Sequence, residues 1–283
     1  MTPADNRPTR SQQREEARQK AKALREQHKK GERRKRLAIQ IGVVAAIVVA
    51  VVLIVVALVS GNNHSEKTQA TPTNMSFDGG IKIGTDLKAF TSTTTPTPAD
   101  GKAVPNIKIF VDYQCPVCQA FEVPNSSQIE SWVKTGAATV EIHPISFLDG
   151  RGSPNEYSSR AANAAICVAE YSPDNFFKFN SLLFENQPAE GTAGPENKDL
   201  IVRAKDAGAT NIDKITECIN DKSFGNWISD TTDKVLSEPL PGTDLTVEGT
   251  PYILVNGQPY TWTKGEELIS PARFAQFVQT AGK

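Results

Sequence analysis

The segment "LAIQIGVVAAIVVAVVLIVVALV", Leu37–Val59, constrains this chain more than any other. It runs for 23 residues with no charge and one polar side chain, Gln40. At about 1.5 Å rise per residue, a helix of this length crosses a hydrocarbon core of about 30 Å. In lipid, a lone apolar run satisfies its backbone only as a helix. A cleavable export signal is the rival reading. Its apolar region would span about 7–15 residues and end at a small-x-small site. This run is longer, a long basic region precedes it, and no clear Ala-x-Ala follows. The expectation is an uncleaved transmembrane helix at 37–59.

Charge orients that helix. The formal net charge of −1 hides a split. Residues 1–36 carry thirteen Lys/Arg and five Asp/Glu, and residues 61–283 carry eighteen Lys/Arg and twenty-seven Asp/Glu. "KKGERRKR" abuts the apolar run on one side and "SGNNHSE" on the other. The positive-inside rule therefore places the N-terminus in the cytoplasm and everything after Ser60 outside. The tail Gln13–Arg36 has the charge to meet anionic lipid or nucleic acid. No aromatic residue interleaves its charges, so it reads as a solvated topology signal and no nucleic-acid partner is expected. All four cysteines then lie outside, where disulfides persist.

The exterior part reads as strand, helix, strand, a helical block, hairpin, helix. "GGIKIG" is a candidate first strand, and "NIKIFVDY" (Asn106–Tyr113) and "ATVEIHPISF" (Ala138–Phe147) are core strands by their β-branched and aromatic content. A helix after Cys115 runs to about Lys134 and is expected to kink at Pro124. Four helical segments follow: Asn155–Tyr171, Pro173–Glu185, Lys198–Ala207 and one long helix, Asn211–Ser237. "TPYILVNGQPYTW" reads as a hairpin, because Asn256-Gly257 supplies the positive φ angles of a two-residue turn. A last helix spans Ser270–Ala281. No internal repeat is visible.

Chemistry concentrates in "FVDYQCPVCQAFE", Phe110–Glu122. A strand leading straight into Cys-x-x-Cys sets Cys115 at a helix N-terminus, where free N–H groups and the helix dipole favour an anion. Pro116 then fills the first helical position, where its missing N–H matters least. Such a setting lowers a thiol pKa from about 8.5 into the range of roughly 3.5–7.5. Cys115 becomes the attacking thiolate, and Cys118, one turn in, the resolving thiol. A zinc site needs a second ligand pair. The remaining cysteines are solitary, and only His64 and His143 lie outside. A purely structural Cys115–Cys118 bridge closes too small a loop to stabilise much. The redox dithiol is preferred, with no metal and no cofactor expected. Cys167 and Cys218 sit on apolar faces of helices in the helical block. A bridge between them is favoured over buried free thiols or a second redox couple, since neither stands at a helix start.

Taken together, "FVDYQCPVCQAFE" and "VEGTPYILVNG", separated by a helical block, resemble the DsbA-like thiol–disulfide oxidoreductases. The membrane-anchored actinobacterial branch is the most similar. The resemblance covers about residue 75 to the C-terminus. It implies an α/β thioredoxin fold, formed by 76–150 and 239–283, with an inserted all-helical domain at 151–238 and a linker at 60–75. It implies that Thr250 and a cis Pro251 bind the substrate strand opposite the dithiol. Relatives with a structural bridge in the helical domain resemble the Cys167, Cys218 arrangement. The implied partners are exported reduced or unfolded proteins, with a re-oxidase of the DsbB or VKOR type in the membrane. Two positions depart from the pattern: Ile109 stands where many relatives carry a buried acid, and Val117 where some strong oxidants carry His. Pro116, Val117 and Asp112 are therefore the tuning positions. Asp112 is the nearest acid, placed either to move a proton at Cys118 or, the favoured reading, to bond local backbone.

The expected function is an extracytoplasmic enzyme that introduces disulfides into exported proteins. A disulfide isomerase or reductase of the same compartment is the nearest alternative. A membrane-tethered thioredoxin-fold binding module for metal delivery is the alternative from another class.

Overall fold

The structure, a computed structural model, describes residues 71–75, 79–90 and 104–281. The apolar run 37–59 and the basic tail lie outside these residues. Among the described residues no helix is long and apolar enough to cross a membrane.

Five strands form one mixed sheet in the order β1-β3-β2-β4-β5: β1 (Ile81–Ile83), β2 (Asn106–Val111), β3 (Thr139–Pro144), β4 (Tyr252–Val255) and β5 (Gln258–Pro259). β2 lies parallel to β3 and antiparallel to β4. The period of two in β2 sorts its side chains between two cores. Ile107, Ile109 and Val111 enter the larger core, and Phe110 packs with Ile145, Val235, Leu240, Val247 and Leu254 in the smaller one. β5 pairs only with β4, so it is an edge strand and tolerates Pro259. Asn256 and Gly257 turn the hairpin at φ 52° and 78°, as the Asn-Gly pair requires.

Helix α1 (Pro116–Thr135) follows β2 and buries Cys118, Phe121, Asn125, Ile129 and Val133. It continues through Pro124, and it ends at Gly136, which adopts φ 67° and caps the last turn through Trp132 and Val133 carbonyls. Phe121 meets Phe274 of the C-terminal helix edge to face, ring centroids 5.0 Å apart.

Between β3 and β4 lie α2 (Tyr157–Tyr171), α3 (Phe176–Glu185), α4 (Asn197–Asp206), α5 (Ile212–Asn220) and α6 (Gly225–Ser237), with α7 (Gly265–Leu268) and α8 (Pro271–Ala281) closing the chain. The Ala-rich α2 is buried on nearly every face, and α3 to α6 all pack on it. Small side chains allow that close approach. Cys167 of α2 and Cys218 of α5 are joined by a disulfide, Cα atoms 5.9 Å apart.

Two sequence expectations need correction. The single helix expected at 211–237 is two helices broken at 221–224. Ile212, Ile215 and Ile219, which recur at helical spacing, all fall in the first of them. Lys222 then takes φ 49°, and the turn brings Phe224 into the core, where its N–H donates to Asn163 Oδ1 at 2.9 Å. The second concerns Thr73–Met75, read as the end of the linker. They lie on the folded unit. Thr73 Oγ1 donates to Glu170 Oε1 at 2.6 Å, Asn74 Nδ2 donates to Ala169 O at 2.8 Å, and Met75 is buried.

Candidate active site

Cys115 is the N-cap of α1, with extended backbone (φ −78°, ψ 116°), and Pro116 begins the helix. β2 ends at Val111. A short turn, closed by the Cys115 N–H donating to Asp112 O at 3.1 Å, delivers the sulfur to the helix start. Both cysteines are reduced. Cys115 is 6 % exposed and Cys118 0 %.

The two sulfurs are pushed in opposite directions. The Cys115 thiol is lowered to about 6, chiefly by the Cys118 thiol donating to it. Burial opposes this, while Thr250 and the N–H groups of Cys118 and Val117 reinforce it. Cys118 is raised well above an ordinary thiol, first by burial and then by its own bond to Cys115. The helix-start N–H groups thus contribute least among the groups that favour the Cys115 thiolate, and the partner thiol contributes most.

Thr250 comes from the loop before β4. Its carbonyl oxygen lies 3.2 Å from Cys115 Sγ, and the Thr250–Pro251 peptide bond is cis. The buried Thr250 hydroxyl is the group through which this residue favours the Cys115 thiolate. Val117 is 42 % exposed, an apolar side chain at the rim of the dithiol. Thus Cys115, Pro116, Val117, Cys118, Thr250 and Pro251 converge on one site. Cys167 and Cys218 form a separate bridge in the helical block.

Asp112 is wholly buried beneath the dithiol. Its carboxylate accepts from the backbone of Gln114 (2.8 Å) and Leu148 (2.9 Å) and from Ser158 Oγ (2.7 Å), and its own N–H donates to Cys118 Sγ at 3.5 Å. Burial outweighs these donors and holds its pKa up at about 7. The local-backbone bond is therefore present, joined by two partners far along the chain.

Several neighbours of the site were not singled out from the sequence. Glu122 is buried one turn past Cys118, with Oε1 unpartnered, and burial raises its pKa to about 7. Its spacing of four from Cys118 puts both on one helix face, a signal the sequence carried. Ser158, Gln114 and Gln187 left no such signal, because their partners are distant carbonyls and carboxylates. Among the described residues no group of three His, Cys, Asp or Glu side chains is placed to hold a metal ion.

Comparison with known proteins agrees with this geometry. A family model described as Thioredoxin matches residues 91–279. The reduced disulfide bond oxidoreductase DsbG of Mycobacterium tuberculosis is similar in structure. It has a TM-score of 0.56 and 27% identity, covering 71% of this chain and 86% of that one. Oxidised DsbA of the same organism has a TM-score of 0.55 and 27% identity, covering 72% and 92%. Among curated sequences, the serine/threonine-protein kinase PknE of M. tuberculosis is 31% identical over 166 residues. That match takes in 55% of this chain but only 28% of the kinase, so the chain spans less than a third of this relative.

Proposed function

Because this chain belongs to the thioredoxin family and is an enzyme of the DsbA-like thiol–disulfide oxidoreductase type, we propose that Cys115 and Cys118 form the dithiol with which it introduces disulfides into exported proteins. The observation that carries this reading is the asymmetry of the pair. Cys115 caps α1 beside the Thr250 carbonyl, and Cys118 is sealed beneath it.

In the oxidised enzyme the two sulfurs share a bond. A substrate thiolate attacks Cys115 Sγ and forms a mixed disulfide, and Cys118 leaves with the bond's electron pair and takes up a proton. A second substrate thiolate attacks the substrate sulfur of that mixed disulfide and expels Cys115 as thiolate. The substrate gains a disulfide, and the enzyme carries away two electrons as its dithiol. Stabilising the Cys115 thiolate makes it a good leaving group and favours the reduced enzyme, which is what a disulfide donor needs. Thr250 and Pro251 would hold the substrate strand by backbone pairing. Asp112 would accept or supply the proton at Cys118, since its carboxyl is raised into the neutral range by burial.

In this reading the apolar run 37–59 would anchor the domain outside the cytoplasmic membrane with the N-terminus inside, and a DsbB- or VKOR-type protein would remove the two electrons. The charge split and the apolar run support this placement. Thiol trapping in cells tests the direction. A largely oxidised Cys115–Cys118 pair supports the oxidase. A largely reduced pair, together with rapid insulin reduction by the purified chain, makes it a reductase or isomerase instead.

A further inference from the structure

The loop joining α3 to α4 reaches the dithiol with a residue that the exchange chemistry above does not use. Residues 186–196 contain no helix or strand, and the tip, 189–193, is exposed. Long side chains of the folded body nevertheless fasten it along its length. Arg203 Nη2 donates to Asn186 O at 3.0 Å. Gln114 Nε2 donates to Ala189 O at 3.2 Å and Thr192 O at 2.8 Å. Arg160 donates to Ala193 O at 3.0 Å and Pro195 O at 2.7 Å. Gly194, at φ 61°, lies so close to the Tyr157 ring that a Cβ there would fall 2.5 Å from Cδ2. A loop held this way presents its side chains in fixed places.

One of them points at the reactive cysteine. Gln187 Nε2 donates to the Cys115 carbonyl oxygen at 2.9 Å. That carbonyl already accepts the Gln119 N–H at 3.2 Å, the first bond of α1. It needs no second donor to be satisfied in the fold, so what the Gln187 bond adds is orientation and field. The positive end of the amide dipole is brought to the main-chain carbonyl of the residue that carries the sulfur. It acts in the same sense as the N–H groups of Val117 and Cys118 that favour the Cys115 thiolate.

We propose that Gln187 is a positioning residue for the dithiol: from the clamped 186–196 loop it fixes the Cys115–Pro116 peptide plane and stabilises the anionic Cys115 sulfur. The loop thereby sets the redox equilibrium of the pair without touching either sulfur. This inference rests on Cys115 being the reactive thiol of the function proposed above.

The test compares Gln187→Met, which keeps the shape and removes the donor, with Gln187→Glu in the purified full-length chain in detergent. The readouts are the pH dependence of Cys115 alkylation in the reduced protein and the thiol–disulfide equilibrium against glutathione. Losing one neutral hydrogen bond's worth of anion stabilisation should raise the alkylation midpoint by about half a pH unit in Gln187→Met. The glutathione equilibrium should move toward the enzyme disulfide by about threefold. In Gln187→Glu the rate relative to the parent protein should be lowest near neutral pH. It should climb toward one as the pH falls and the carboxyl regains a proton to donate. Parental midpoints in both variants overturn the inference, even if melting temperatures drop, because a purely structural tie would lower stability alone. Should Gln187→Met fail to fold, the pH profile of Gln187→Glu decides by itself. If the parent protein does not exchange with glutathione at all, the functional reading falls, while the alkylation midpoints still judge Gln187.

Discussion

Side chains buried around the dithiol give opposite pH signatures to stability. Asp112 and Glu122 are both raised to about 7 by burial, so between their unfolded values and about 7 the native state binds more protons than the unfolded chain. Their contribution to stability is present at low pH and is lost as pH rises through that window, by roughly 3–4 kcal/mol per carboxyl. Cys115, lowered to about 6, has the reverse sign. Its contribution is present above the unfolded thiol value and is lost as pH falls toward about 6. Denaturant titrations of the reduced protein from pH 4 to 8 should show stability falling toward neutrality. Asp112→Asn should flatten part of that fall. A stability profile identical in Asp112→Asn and the parent protein would remove Asp112 from the titrating set. At the same scale, Cys115→Ser should abolish exchange, while Cys118→Ser should trap substrates on Cys115 as adducts that reductant releases. Non-reducing gels of cells carrying each variant check this. Adducts that persist in the Cys115→Ser/Cys118→Ser double variant would mean that Cys115 is not the nucleophile.

At the scale of elements, the helical block is held by a covalent tie remote from the dithiol, and its 186–196 loop by a close contact. The Cys167–Cys218 bridge closes a loop with a sequence separation of 51 between α2 and α5. Loop entropy predicts a loss of roughly 4 kcal/mol when it is removed. Cys167→Ala/Cys218→Ala should therefore melt at a markedly lower temperature yet still exchange disulfides below its transition. Loss of exchange in the folded variant would give the bridge a redox role. The Gly194 contact with Tyr157 is more local. Gly194→Ala places a methyl against the ring in a left-handed backbone position, costing about 1–3 kcal/mol. Protease nicking within 186–196 should accelerate in that variant before global unfolding does. Unchanged nicking would mean the other ties suffice to hold the loop.

For the whole molecule, the proposed membrane placement is what would put the dithiol in an oxidising compartment. A reporter active only outside the membrane, fused after Gly61, should be active. A cytoplasmic reporter at the same point should not, and its activity would overturn the orientation together with the oxidising setting of the dithiol.

What the amino-acid order determined alone was everything governed by neighbours a few residues apart. The strand running into Cys115-Pro116, the Asn256-Gly257 hairpin, the apolar 37–59 run and the Ala-rich α2 all rest on propensity, periodicity or charge within one segment. The resemblance to a known family added Thr250 and Pro251, which spacing could not have paired with Cys115 across 135 residues. Only the tertiary structure decided the rest. It broke the expected 211–237 helix because Phe224 is needed in the core and Asn163 is there to receive its N–H. It brought Leu148 and Ser158 to Asp112 and the 186–196 loop to Cys115. These contacts join polar atoms to backbone carbonyls and carboxylates from distant segments. A carbonyl carries no side-chain identity, so nothing in the sequence marks which one a glutamine or serine will meet until packing has brought the segments together.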